Sequence, residues 1–360
     1  MSKIPDFKKL STLELYRFVA AVLVVFAHSN MFITLESKDF LENFLHFGTV
    51  GVDLFFVLSG FIIIYVHRSH FDHKEKLPSY LWRRVRRVYP LYAVITLISV
   101  PFIFLGIYRQ DINFSFSYLF SNIFMLPRNA TDYPIISPAW SLGHEVLFYL
   151  FVAVLIFNKK IGVVIFSLWG AGIIAFSASG STAFPMSFIF SWLNIEFFIG
   201  MLAAYVAPRF PNKSGLFFLL SGLTMLSLSI YCHGTKLYPM TDPIWHRLIY
   251  GSCAFLIICG CVAWEKDRIK IPGSKALAYL GGASYTIYLI HFLVLELMYF
   301  AKNKFELPVN DGICFIAYSV TAISIGLITY HYTDRLLMQN IPSSWIKAKS
   351  HIQKHIRLFK

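Results

Sequence analysis

The sequence predicts an all-α integral membrane protein of about ten transmembrane helices. Three observations carry that expectation. Hydrophobic residues make up 57% of the 360-residue chain and charged residues only 14%, against about 25% charged in an ordinary soluble domain. The mean hydropathy is +0.61. The apolar residues gather into runs near the length of about 20 that a membrane-crossing helix needs. A disordered chain and a water-soluble enzyme of this size are both excluded. The net charge of +13 is read as loop charge collected on one membrane face rather than as a nucleic-acid surface.

The runs fall near 10–31, 47–66, 88–107, 140–157, 161–179, 187–207, 215–232, 247–264, 277–300 and 312–333. The first follows Lys3, Lys8 and Lys9 as a signal peptide would, but Glu14 and Arg17 interrupt it and more spans follow, so it reads as a retained helix. The third follows the most basic stretch of the chain, and the fifth follows Lys159 and Lys160. Arg209 and Lys213 separate the sixth from the seventh. Each run is too long and too apolar for a strand, and lipid leaves the backbone no partner except within a helix. One membrane domain is expected over 1–336, followed by a short basic amphipathic tail over 337–360 resting on the inner leaflet. With both termini in the cytoplasm, 24 of the 32 Lys and Arg residues lie on the cytoplasmic side and 7 on the other, with Arg17 inside the first helix. Basic residues favour the cytoplasmic face. The five cysteines lie in or beside apolar runs and read as small buried hydrophobes. Cys259 and Cys261 lack metal or redox spacing, and no metal is expected.

Ionisable groups inside a bilayer are costly and mark a pathway or a reaction site. The first helix carries Glu14, Arg17 and His28. Eleven residues turn a helix by about 1100°, so Arg17 and His28 share a face roughly 16 Å apart. Glu14 stands one turn from Arg17 and can pair with it. Asp53 opens the second span and Glu145 the fourth, both counted to about the depth of His28. A carboxylate on one imidazole nitrogen would leave the other to take a proton from a hydroxyl. Arg83, Arg84, Arg86 and Arg87 stand at the cytoplasmic end of the third span. Four forks in five positions suit phosphate oxygens, although lipid headgroup contact is the competing reading. Tyr285, Tyr288 and His291 recur every three residues, either lining a cavity or packing. Glu196, Glu296 and His331 have no partner that the sequence assigns.

Five ordered segments together resemble the acyltransferase-3 family of integral-membrane O-acyltransferases, which modify bacterial surface polysaccharides. Arg17 and His28 match its R-x10-H pattern. Gly51 to Phe61 reads G-V-D-L-F-F-V-L-S-G-F, and Arg83 to Pro90 reads R-R-x-R-R-x-x-P. Trp140 to Tyr149 matches W-S-L-x-x-E-x-x-F-Y, and Ser284 to His291 is similar to S-Y-x-x-Y-L-x-H. Phe18 stands where many members have Gly, which bears on subfamily. A standalone version is expected, without the hydrolase-like domain that follows the spans in fused members.

The resemblance implies an acyl donor such as cytoplasmic acetyl-CoA and a glycan or lipid-linked glycan acceptor in the inner membrane of a bacterium. The acceptor classes left open are lipopolysaccharide O-antigen, exopolysaccharide and peptidoglycan. The arginines would hold the CoA phosphates, and His28 would act as general base or transient acyl carrier. Asp53 or Glu145 would orient it, and Arg17 would hold the donor or stabilise charge. The competing class is a proton-coupled transporter or exporter using His28, Asp53, Glu145 and Glu196 as a relay. The sequence shows no sign of the internal symmetry usual in such proteins.

Overall fold

The computed structural model describes residues 10–33, 48, 50–108, 112, 114–127, 133–235, 237, 243–266, 271 and 273–334. Among them there are helices and turns but no strand. The expectations for Lys3, Lys8, Lys9 and the basic tail lie outside the described residues. Ten helical segments are long and apolar enough to cross a membrane, in agreement with the count from apolar runs.

The helices, in order, are α1 (Ser11–Ile33), α2 (Val50–His67), α3 (Leu77–Phe104), the short α4 (Phe116–Ile123), α5 (Trp140–Phe157), α6 (Lys159–Ala178), α7 (Ile195–Val206), α8 (Gly215–Gly234), α9 (Pro243–Glu265), α10 (Ser274–Lys304) and α11 (Asp311–Thr329). α3 begins eleven residues before the apolar run that announces it. Pro78 starts it at a position where its missing N–H costs nothing. The arginines of 83–87 therefore sit within its second and third turns, and the start of the helix is earlier than the expected boundary near 88. The sixth span is also broken: a one-turn helix (Met186–Ile189) and a 3-10 turn (Trp192–Asn194) precede α7.

α1, α2 and α10 form the centre of the bundle, with α9 and α7 on one side of α2 and α11 beside α1 and α10. α2 is buried along almost its whole length. Its crossing with α7 is close because Gly60 and Gly200 meet there, and a Cβ on either would strike the other helix's backbone. α6, α8 and α11 stand outside. Val164, Leu168, Phe217, Leu220, Ile316 and Val320 project from them uncovered, which is the surface that lipid would cover.

The start of α1 is fixed from the far end of α9. Glu265, 2% exposed, accepts from Ser11 N at 2.8 Å, Thr12 N at 3.0 Å and Thr12 Oγ1 at 2.7 Å. A carboxylate there satisfies otherwise orphaned N–H groups and complements the helix dipole. The register of Arg17 and His28 in the bundle is set by this anchor.

Candidate active site

A cavity of about 260 Å³ lies between α1, α2, α3, α5 and α10. α1 contributes Glu14 and Arg17, α3 contributes Arg84 and Arg87, α5 contributes Glu145 and Tyr149, and α10 contributes Tyr285 and Tyr288. Arg84 and Arg87 share a helix face because residues three apart do. Arg83 and Arg86 do not line the cavity. Arg83 is exposed and folds back on Ser79 O at 3.2 Å. The four-arginine cluster thus divides.

The acids are already engaged. Glu14 Oε2 accepts from Arg17 at 3.3 Å, the pairing expected from their spacing. Glu145 Oε1 accepts from Ser59 Oγ at 2.8 Å and from Tyr149 OH at 2.5 Å. By contrast, Arg84 and Arg87 have no hydrogen bond or ion pair among the described residues. The Arg84 guanidinium stacks over the rings of Tyr149 at 5.5 Å and Tyr80 at 5.8 Å, and its buried Nε lacks an acceptor. Unpaired guanidinium groups in a partly buried, low-dielectric cavity favour an anionic ligand with several acceptor oxygens.

At the other end of the cavity Tyr288 OH donates to Pro138 O at 3.0 Å and lies 2.8 Å from Ser141 Oγ. One turn further along α10 stands His291, whose ring centre is 5.9 Å from that of Tyr288. His291 Nε2 is 3.1 Å from His28 Nδ1. Both rings also place Nδ1 against a carbonyl one turn back in their own helix, Val24 O for His28 and Ile287 O for His291, each at 3.1 Å. A carbonyl can only accept, so each Nδ1 carries the proton. The single His28 Nδ1–H is then shared between Val24 O and His291 Nε2, and His28 Nε2 carries the lone pair. The network itself assigns these tautomers. The His28 ring is therefore held in one orientation by its own helix and by α10.

The side chain against the His28 ring is a histidine, where a carboxylate was expected. Asp53 does not share the depth of His28. Gly51 packs on Ala20 and Val24, and Tyr16 OH reaches Leu54 O at 3.2 Å, so Asp53 stands opposite the Arg17 half of α1. It faces α9 instead, where Arg247 donates to its Oδ1. Glu196 approaches the same guanidinium at 3.7 Å, and His246 Nε2 lies 3.7 Å from Asp53 Oδ2. Asp53 and Glu196 are buried at 1% and 0% exposure. Arg247, counted in the sequence as a loop charge, is the partner that Glu196 lacked. Glu145 likewise faces the arginine cavity, where Ser59 and Tyr149 take up its Oε1. Among the described residues there is no cluster of His, Cys, Asp and Glu able to hold a metal ion.

The chain matches the family model described as an acyltransferase domain over residues 10–331. It is 25% identical to the exopolysaccharide production protein ExoZ of Rhizobium meliloti (strain 1021), over 81% of this chain and 90% of the relative. It is 26% identical to the peptidoglycan O-acetyltransferase OatA of Listeria monocytogenes serovar 1/2a, over 69% of this chain and 45% of the relative. A Staphylococcus aureus (strain MRSA252) relative is 25% identical, with 99% of this chain and 62% of the relative covered. The chain thus spans most of ExoZ but less than two thirds of the other two. No solved structure gives a significant match.

Proposed function

The chain belongs to the acyltransferase-3 family and is a multi-pass membrane acyltransferase, and from that premise we propose that it O-acetylates a surface glycan, taking the acetyl group from acetyl-CoA at the cytoplasmic face of the bacterial inner membrane. The carrying observation is the pair of unpartnered arginines, Arg84 and Arg87, in a cavity whose far end lies one helical turn from His291 and His28. The donor brings phosphate oxygens for the arginines and a thioester for the reaction. The 260 Å³ cavity is smaller than the roughly 300–1,000 Å³ of sites for drug-sized ligands. It suits the narrow pantetheine arm, with the phosphates held by Arg84 and Arg87 and with Arg17 further along the path.

His28 Nε2 takes the proton of the acceptor hydroxyl as its oxygen attacks the thioester carbonyl. The C–S bond breaks, and His28 returns the proton to the departing sulfur, so neither charge nor protons accumulate. His291 supports this step by holding His28 Nδ1–H. The likeness to ExoZ favours an exopolysaccharide as acceptor over lipopolysaccharide O-antigen or peptidoglycan. The direct test incubates detergent-purified protein with acetyl-CoA and O-deacetylated polysaccharide from a strain lacking the gene. Ester-linked acetate should form together with an equal amount of free CoA thiol. A protein that leaves acetyl-CoA intact in the presence of its own host's polysaccharide is not this enzyme.

A further inference from the structure

A second cavity, of about 410 Å³, lies on the opposite face of α5. Helical periodicity divides the residues of the first α5 turns between the two cavities. Ser141, Leu142 and Glu145 face the arginines, whereas Trp140, Gly143 and His144 face the second space. The segment at 134–139 joins this cavity to the histidine pair. Pro134 and Ala139 line the cavity, while Ile135 packs with Phe292, whose ring edge meets His28 at 5.4 Å between centres.

His144 is built into this wall with one tautomer. The side-chain amide of Asn194, fully buried, donates from Nδ2 to Phe188 O at 3.1 Å and Ile189 O at 2.9 Å. Its oxygen must then face His144 Nδ1, 3.0 Å away, as an acceptor. His144 therefore carries its proton on Nδ1 and its lone pair on Nε2, which has no partner among the described residues. Phe188 lies against the imidazole at 4.3 Å with a 31° tilt, and Trp140 meets it edge-on at 6.1 Å.

The chemistry of the lining selects among ligands. No Lys, Arg, Asp or Glu side chain is among the described residues that line the cavity, so it offers nothing to an anion or a cation. It offers aromatic walls from Tyr92, Tyr133, Trp140 and Phe188, the hydroxyl-bearing Ser121, Ser187 and Ser191, and the His144 imidazole. A neutral sugar ring has the matching surface, with C–H faces for the aromatic walls and O–H donors for the imidazole nitrogen. We propose that this cavity is the acceptor subsite and that His144 Nε2 accepts a hydrogen bond from a hydroxyl of the bound sugar. His28 remains the base for the reacting hydroxyl. The inference rests on the reading of the protein as a glycan O-acetyltransferase.

Two variants test it: His144→Phe, which removes the lone pair, and Gly143→Leu, which fills the cavity. A Cβ at position 143 already comes within 3.4 Å of the Phe188 ring, so a larger side chain must occupy the space. Each should raise the acceptor KM for O-deacetylated oligosaccharide by about tenfold or more, the scale of one lost hydrogen bond or contact. The KM for acetyl-CoA should stay at the wild-type value, which also reports an intact fold. His144→Gln, which keeps an acceptor oxygen, should recover most of the loss. Saturation-transfer NMR of the same oligosaccharide without acetyl-CoA gives a second readout: wild type should bind it and Gly143→Leu should not. If wild type transfers acetate while both variants keep its acceptor KM and binding, the subsite is elsewhere and the enzyme reading stands. If wild type binds the sugar and Gly143→Leu does not, yet no acetate is transferred, the subsite stands and the enzyme reading fails. Loss of oligosaccharide binding together with loss of acetyl-CoA affinity would assign His144 a structural role and overturn the proposal.

Discussion

His291 Nε2 accepts from His28 Nδ1–H at 3.1 Å across 263 residues of chain. The same Nδ1–H faces Val24 O at 3.1 Å, and His291 is itself fixed by Ile287 O. A carboxylate in the same place would hold a protonated imidazole more tightly. In the proposed reaction a neutral imidazole would supply orientation with less charge and leave His28 able to give its proton back.

The first prediction follows from that pair. His28→Ala should lower acyl transfer by about 10²–10⁴-fold, the usual contribution of a general base, while CoA affinity at the arginine end persists. His291→Phe should also reduce kcat, because the orienting acceptor is gone, and His291→Gln should restore part of it. Calorimetry with CoA and acetate incorporation read the two properties separately. Near-normal turnover by His291→Phe would remove His291 from the mechanism.

The arginine cluster should behave unequally. Arg84→Ala and Arg87→Ala remove forks that line the cavity, each charge-assisted hydrogen bond being worth roughly 1.5–3 kcal/mol. The apparent KM for acetyl-CoA should rise by about tenfold or more for each. Arg83→Ala, at an exposed position bonded to Ser79, should change it little. Equal effects of all three substitutions would mean that the segment acts through general positive charge.

Asp53 should be a stability residue. It is buried against Arg247 and shares that guanidinium with Glu196. Removing one member of a buried ion pair typically costs about 3–5 kcal/mol. Asp53→Asn should therefore lower the thermal midpoint in detergent and the yield of inserted protein. The fraction that folds should keep a near-normal KM for acetyl-CoA. A stable Asp53→Asn protein with kcat reduced to the level of His28→Ala would instead return Asp53 to the chemistry.

Orientation is testable at α3. Val85, exposed at 44%, lies between the cavity-lining arginines. A single cysteine there, in a background without the native five, should react with a membrane-impermeant maleimide only after the cytoplasmic face is opened. Labelling in intact cells would reverse the assignment of faces.

Much of the fold was legible in the sequence because lipid imposes one rule on every span: about 20 apolar residues with internal hydrogen bonds. The same rule hid the start of α3, since an apolar run reveals the part of a helix that faces lipid and not the polar turns that carry Arg84 and Arg87. The Glu14–Arg17 pair was readable because it lies within one helix turn. The partners of His28, Asp53 and Glu196 were not, because depth counted from an assumed boundary ignores how far neighbouring helices slide along one another. Arg247 looked like a loop charge for that reason. The fixing partner of His144 was not readable either, since Asn194 sits 50 residues away in a 3-10 turn.

The most direct measurement of the central claim is transfer across a sealed membrane. Proteoliposomes of uniform orientation would receive radiolabelled acetyl-CoA on the side of Arg84 and Arg87, and O-deacetylated polysaccharide on the side of His28. Label should appear as ester on the polysaccharide in wild type and be lost in His28→Ala, which should still bind CoA. Transfer that occurs only when donor and acceptor share one side, or that survives in His28→Ala, would contradict the account.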